Sequence, residues 1–346
     1  MKLTAPYLDQ KVLVTGGLGF IGSSLTVRLA QAGAHVTVID SSVPGCGANP
    51  YNLDPVSTAV RVVGAGIDDP MVAGEIRGCA VIFNLAGEIS HIHSMRHPER
   101  DAGLNAFAQL RFLEMCRRTA PGIRVVYAGT RQIYGIPRYL PVNEHHPVSP
   151  VDFNGVHKYV AAQYHRMWTD MGRIDARVLR LSNVYGPRMA LQIPCQGFLG
   201  NFLQRALLGQ TIEIFGNGRQ LRDPLFADDA VDAFLLAGAA DNPRSRVWNV
   251  GGPDALPLAR IARIVSAEAG IQDPILRPFP EEQKAIDIGS YATDSSLIGR
   301  ELGWRPRIGF TEGIRKSIEY YRNTLAHYLP ADGKPACPLD GMRVTV

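Results

Sequence analysis

The sequence predicts an α/β fold: a doubly wound parallel sheet with a smaller, partly interleaved C-terminal domain. Three observations predict it. Short apolar runs of strand length alternate with helical repeats from the first residues onward, a pattern that sets parallel strands side by side with helices on both faces. The first run, Lys11-Val-Leu-Val-Thr15, passes straight into a turn containing Gly16, Gly17, Gly19 and Gly22 and then into a helical stretch. A second strand, Ala34-His-Val-Thr-Val-Ile-Asp40, ends in a carboxylate, placed about 20 residues beyond the turn. Strand, glycine turn, helix and distant acid together describe a Rossmann-like dinucleotide site.

The turn satisfies both Gly-x-x-Gly-x-x-Gly and Gly-x-Gly-x-x-Gly. Glycines are required where the chain turns tightly and a pyrophosphate must approach the backbone. The helix that follows, Ser23 to Ala32, points its free N–H groups and positive dipole end at that phosphate. Asp40 can accept from a free ribose 2′-hydroxyl but repels a 2′-phosphate, so it favours NAD over NADP.

After Asp40 comes a loop, residues 41–50, dense in turn formers. Val60-Arg-Val-Val63 is the third strand, followed by Ile67-Asp68-Asp69, and Ala80-Val-Ile-Phe-Asn-Leu-Ala86 is the fourth. A helix from about 101 to 118 carries Leu104, Phe107, Leu110 and Leu113 on a helical period. The fifth strand, Ile123 to Ala128, runs into Gly129-Thr-Arg-Gln-Ile-Tyr-Gly135. A proline-punctuated loop precedes a helix from about 154 to 171, which Asp152 is placed to cap. The sixth strand is Ala176 to Leu181.

Beyond Tyr185 the rhythm changes. Helices are expected at 198–208, 228–240, 256–269 and 311–328, with strands at 212–215 and 247–250. We divide the chain into an NAD-binding unit, residues 1–183 plus about 226–251, and a substrate-binding unit, about 184–225 plus 252–330. A tail, 331–346, is expected to be poorly ordered.

Composition sets limits on function. The 346 residues are 46% hydrophobic and 20% charged, with a net charge of +4, which describes an ordinary soluble globular chain. The charge is too small, and too little interleaved with aromatics, to argue for nucleic acid. Five cysteines, with no Cys-x-x-Cys pair, fit a reducing compartment and give no metal site. No apolar signal core opens the chain and no stretch is long enough to span a bilayer. A cytoplasmic protein is expected.

Several segments together resemble the extended short-chain dehydrogenase/reductase family, in its nucleotide-sugar epimerase and dehydratase group. The segments are Thr15-Gly-Gly-Leu-Gly-Phe-Ile-Gly22, Asn84-Leu-Ala-Gly87, Thr130 to Gly135, Arg180-Leu-Ser-Asn-Val-Tyr-Gly-Pro-Arg188, Phe215-Gly-Asn-Gly-Arg-Gln-Leu-Arg-Asp223 and Leu302-Gly-Trp-Arg-Pro306. The resemblance covers roughly residues 10 to 325. It implies an NAD cofactor held by Gly16, Gly19, Phe20, Ile21, Gly22 and Asp40, with Ile67, Leu85, Ala86, Gly87 and Lys158 completing the contacts. It implies diphosphate contacts from Asn183 and Arg222; Ser90 and Arg131 are further candidate substrate contacts. An Asp after the third strand usually meets the adenine in this family; Gly66 stands in that slot, with Asp68 and Asp69 close by. The helices 101–118 and 154–171 resemble those of the family's four-helix dimer interface, so a homodimer is expected.

One departure matters. The family places a Tyr four residues before its essential Lys, to take the hydroxyl proton during hydride transfer. Lys158 is present, but the residue four before it is Asn154, and Tyr159 lies one position past the Lys. An amide can hydrogen-bond a sugar hydroxyl but cannot accept its proton at neutral pH. His157 is a candidate replacement on the same helix. His91 and His93, after the fourth strand, are others, and Thr130 can relay a proton. Sugar dehydratases of the family carry Asp and Glu after the Thr. Arg131 and Gln132 can perform neither job, while Arg131 suits a carboxylate such as a uronate.

The reading that follows is an NAD-dependent nucleotide-sugar epimerase acting at C4, through transient hydride transfer and a keto intermediate. In it Thr130, Lys158, Asn154 and His157 are the candidate catalytic residues. Two alternatives stand beside it: oxidative decarboxylation of a nucleotide-uronate, and a catalytically impaired NAD or nucleotide-sugar binding protein.

Overall fold

The computed structural model describes residues 3–193, 197–243, 246–281, 284 and 286–329; the tail 331–346 lies outside them. The first half of the chain alternates β1 (Lys11–Thr15), α1 (Phe20–Gln31), β2 (His35–Ile39), β3 (Val60–Val63), α2 (Val72–Ile76) and β4 (Val81–Asn84). It continues through α3 (His91–Arg96), α4 (Pro98–Ala102), α5 (Ala108–Thr119), β5 (Arg124–Thr130), α6 (Phe153–Asp170) and β6 (Asp175–Leu181). The second half holds β7 (Val184–Tyr185), α7 (Phe198–Leu207), β8 (Glu213–Phe215), β9 (Leu221–Arg222), β10 (Leu225–Phe226), α8 (Ala227–Ala239) and β11 (Val247–Val250). Then come β12 (Leu256–Pro257), α9 (Leu258–Ala269), β13 (Ile275–Arg277), α10 (Ser296–Leu302) and α11 (Phe310–Thr324).

Seven strands form one parallel sheet in the order β11-β6-β5-β4-β1-β2-β3. The chain builds outward from β1 to β3, then returns to lay β4 on the other side of β1. That reversal opens a crevice beyond the carboxyl ends of β1 and β4, the place where doubly wound sheets bind ligands. Strands buried on both faces explain the continuous apolar runs: Val12, Leu13 and Val14 of β1 and Val81 to Phe83 of β4 are all fully or nearly fully buried. Val12 and Val14 face a layer that includes Leu25, Phe234 and Trp248. Leu13 and Ile82 face the opposite layer, with Phe112, Leu113 and Cys116 of α5. Each such side chain contributes roughly 1.5–3 kcal/mol on burial.

A second apolar cluster joins Phe202 and Leu203 of α7, Ile261 and Val265 of α9, and Ile314, Ile318 and Tyr321 of α11. No helix among the described residues is long and apolar enough to cross a membrane.

The expected elements form within a few residues of their predicted bounds, with three differences. The helix expected at 101–118 is longer, running from α4 through a π-helical turn, Gly103–Phe107, into α5. The stretch 256–257 pairs with β9 as a short antiparallel strand, so α9 begins only at Leu258. The last helix stops at Thr324 and ends in a 3-10 turn, Leu325–His327. Asp152 caps α6 as its position implied, Oδ1 accepting from the Gly155 N–H at 2.7 Å.

Candidate active site

A cavity of about 780 Å³ follows the crevice from the glycine turn to Arg222. At its first end Gly16 has φ +68, and a Cβ there would lie 2.9 Å from the Leu85 carbonyl oxygen and the Ala86 nitrogen. A Cβ on Gly22 would collide with the Gly16 carbonyl oxygen. Gly19 is the N-cap of α1 and has no side chain to offer its amides, so the first turn stays open to an anion. Asp40 Oδ2 accepts from the Leu18 N–H at 3.0 Å and Oδ1 from the Ser42 N–H at 2.9 Å. Burial pushes its carboxyl up and these two amides oppose the shift. Gly16, Gly19, Phe20, Ile21, Gly22 and Asp40 all line this end, with Ile67, Leu85, Ala86 and Gly87 on the facing wall.

A buried polar chain sets the position of that wall. Thr15 Oγ1 donates to Asn84 Oδ1 at 2.8 Å, Asn84 Nδ2 donates to Gln109 Oε1 at 2.7 Å, and Gln109 Nε2 donates to the Ala86 carbonyl at 3.0 Å. Strand β1, strand β4 and helix α5 are thereby tied together at the crevice. Asp68 also reaches the cavity, but Arg111 Nη1 holds its carboxylate at 3.1 Å.

In the middle of the cavity stand Thr130, Asn154 and Lys158. Thr130 ends β5 and its Oγ1 accepts from the Gln132 N–H at 3.1 Å. Lys158 is 6% exposed, with Nζ 3.5 Å from the Ala128 carbonyl and 5.5 Å from the centre of the Tyr127 ring. Burial pulls its ammonium down to about 8, against the pull of Asp101. Asn154 Nδ2 donates to the Glu88 carbonyl and to Asp101 Oδ2, both at 2.9 Å, and its backbone N–H donates to Ser94 Oγ at 3.1 Å. Both side-chain partners are acceptors, so the NH2 must face them and Oδ1 is the atom left for the cavity.

The structure does not bring His157 or Ser90 to the cavity wall. His157 Nδ1 pairs with Asp101 Oδ1 at 2.7 Å. Ser90 Oγ caps α3, accepting from the His93 N–H at 3.1 Å. Among the described residues the histidine that lines the cavity is His91. His93 instead faces Glu88, Nδ1 to Oε1, at 2.5 Å.

At the far end Arg131, Asn183 and Arg222 meet. Arg131 is 9% exposed, its guanidinium 4.8 Å from the centre of the Tyr291 ring, and its Nη1 has no partner. Asn183 Oδ1 is likewise buried and unpaired. Arg222 donates to the carbonyls of Leu221 and Gly289 and lies 3.5 Å from Asp287 Oδ1. Burial, with Arg131 adding repulsion, pulls its guanidinium down to about 10. Two crowded guanidiniums, one with an unpaired buried Nη1, suit this end of the cavity to an anion. Sequence reasoning did not find Cys46 and Ala48, from the loop after β2, or Phe279, which also line the cavity. The turn formers of 41–50 gave that loop a shape but no direction.

The crevice of a doubly wound sheet, its uncapped glycine turn and a carboxylate at the end of β2 define a dinucleotide-binding enzyme fold. Residues 12–251 match the NAD dependent epimerase/dehydratase family, and the chain belongs to it. It is 32% identical over 317 residues to the UDP-glucose 4-epimerase of Mycolicibacterium smegmatis, a match spanning 90% of this chain and 99% of that protein. Among solved structures it resembles the UDP-glucose 4-epimerase of Thermotoga maritima with UDP-glucose, at 28% identity and a TM-score of 0.82, covering 91% of this chain and 99% of that one. It also resembles a dTDP-glucose 4,6-dehydratase of Streptomyces venezuelae solved with NAD bound, at 27% identity and a TM-score of 0.82, over 92% and 99% of the two chains. NAD is the cofactor. The residues present fit it: added Cβ atoms on Gly16 and Gly22 would fill the pyrophosphate cradle, and Asp40 stands at its edge.

Proposed function

We propose that the protein is an NAD-dependent nucleotide-sugar epimerase acting at C4 of the sugar. The observation that carries this reading is the continuity of the cavity, which joins the Gly16 turn, the Thr130–Lys158 pair and the Arg131–Arg222 pair. Bound NAD would supply reversible oxidation of a sugar carbon. Gly16, Gly19, Phe20, Ile21 and Gly22 would hold its pyrophosphate, Asp40 and Ile67 its adenosine half, and Leu85, Ala86, Gly87 and Lys158 its nicotinamide half. Thr130 Oγ1 would hold the reacting hydroxyl and Asn154 Oδ1 would accept from a neighbouring one. Asn183 and Arg222 would grip the diphosphate, on a unit built from residues 184–225 and 252–330. His157, through Asp101, would keep the Asn154 amide in place.

Arg131 and Gln132 argue against dehydration, since neither can protonate a leaving hydroxyl or remove a carbon-bound proton; the Gln132 amide is moreover tied to Asp152 Oδ2 at 2.8 Å. The unpaired Nη1 of Arg131 favours an acidic sugar, which supports a second reading, oxidative decarboxylation of a nucleotide-uronate. Incubation with a panel of nucleotide sugars, followed by proton NMR, tests both. Interconversion of C4 epimers is expected, and lost in Lys158→Ala. Carbon dioxide from a labelled nucleotide-uronate would select the second reading. Tight NAD binding with no sugar interconversion would overturn the epimerase.

A further inference from the structure

We propose that His91, oriented by Asp152, is the acid/base group serving the reacting sugar hydroxyl; this rests on the nucleotide-sugar reading above. His91 is the first residue of α3 and shares the cavity wall with Thr130, Gln132, Asn154 and Lys158. Its side chain is 35% exposed, while that of Asp152 is 0% exposed, and Nδ1 lies 3.1 Å from Asp152 Oδ2. The contact is off the line of a good hydrogen bond. The carboxylate is fixed on its other sides by the Gly155 N–H at 2.7 Å and Gln132 Nε2 at 2.8 Å. A buried carboxylate facing Nδ1 keeps the ring proton on that nitrogen. Nε2 is then the free base, the ring nitrogen left over for the cavity that His91 lines.

The placement follows from Asn154. Its short side chain is held by the Glu88 carbonyl and Asp101, at the wall of the cavity that His91 also lines. Ser94 Oγ, on the same short helix as His91, accepts from the Asn154 N–H, so α3 is pinned to the first turn of α6.

Other candidates are committed elsewhere. Tyr134 donates to Asn249 and accepts from Arg180, both at 2.6 Å. Tyr159 packs against the apolar cluster that includes Ile133, Val142 and Tyr291. His93 faces Glu88 and His157 faces Asp101.

The proton ledger closes within the site. The carbinol O–H would give its proton to His91 Nε2 while bound NAD supplies the two-electron oxidation that takes hydride from the carbinol carbon. When that hydride is returned, Nε2 would give the proton back to oxygen. No proton or electron is consumed.

The test compares wild type with His91→Gln, His91→Gly and Asp152→Asn, the last keeping a residue able to cap α6. In His91→Gln, kcat is expected to fall at least about a hundredfold, with KM and NAD content unchanged. Imidazole is expected to restore part of the activity of His91→Gly. Asp152→Asn, a positioning variant, is expected to lower kcat about tenfold or more with KM unchanged. Retention of more than about a tenth of wild-type kcat by NAD-loaded His91→Gln, against the range for acid/base loss, overturns the proposal. A readout free of turnover separates the two readings: long-range 1H–15N spectra of the histidine rings should show His91 protonated at Nδ1, and that signal should shift in Asp152→Asn. Proton on Nε2 instead overturns the proposal. A wild type that holds this Nδ1 tautomer yet converts no nucleotide sugar refutes the epimerase reading and leaves the dyad's orientation standing.

Discussion

Asn154 Nδ2 donates to Asp101 Oδ2 at 2.9 Å, and Asp101 is completely buried. The residue standing where the family's catalytic Tyr is expected is thus part of a hydrogen-bonded support, with the Glu88 carbonyl as its second acceptor. Asn154→Asp is nearly isosteric but replaces a donor with a carboxylate facing a carboxylate. It should destabilise the protein at pH 7 by about 3 kcal/mol or more. Denaturant unfolding at pH 7 and at pH 4.5 checks this, and the deficit should shrink at the lower pH as the pair takes up a proton. An unchanged midpoint at pH 7 would show that the amide contributes nothing there.

Asp40 meets the Leu18 and Ser42 amides and lines the glycine-turn end of the cavity. Asp40→Ala removes both the acceptor for a ribose hydroxyl and the charge that repels a 2′-phosphate. NAD affinity should fall about tenfold to a hundredfold, the range for losing a hydrogen bond to a charged group, while NADP binding should improve. Calorimetric titration of nucleotide-free protein measures both. Equal NAD affinity in variant and wild type would remove Asp40 from the site.

The parts of this architecture that could be read from sequence are those fixed by local rules. The glycine turn requires Gly16 and Gly22 at fixed spacing, Asp152 caps from three residues before the amide it accepts, and strands buried on both faces are apolar throughout. What stayed hidden depends on contacts between distant positions. His91 meets Asp152 and Asn154 meets Glu88 across more than sixty residues, and no period records either. Asp101 was legible only as the start of a helix. Its burial, with Asn154 and His157 on its two oxygens, is a tertiary fact. Helix α3 is six residues long and mostly polar, too short to show a repeat.

Helix α6 leaves Val156 and Met167 exposed, as is Met171 just past its end, and Phe107, beside α5, is 57% exposed. These residues suit burial against a second copy of the same two helices, so a homodimer is expected. Sedimentation equilibrium should give twice the chain mass, and Met167→Glu should shift the protein toward monomer. A wild-type monomer at micromolar concentration would refute the four-helix interface.

Lys158 provides a pH signature. Its ammonium titrates at about 8 in the folded protein because burial disfavours the charge, whereas in the unfolded chain it titrates in the ordinary Lys range, about 10.4. Below pH 8 both states hold the proton and the folded state carries the whole cost of burying it. Between pH 8 and 10 the unfolded chain binds more protons, so this group makes stability rise with pH. The rise should be on the order of 2 kcal/mol, since each unit of separation corresponds to about 1.4 kcal/mol. Lys158→Met removes the buried charge. The nucleotide-free variant should therefore be more stable than wild type at pH 7, and the gap should close as pH rises toward 10. Paired thermal melts across this range measure the difference and cancel the titration of other groups. A gap that stays constant with pH would mean that Lys158 keeps an ordinary proton affinity inside the fold.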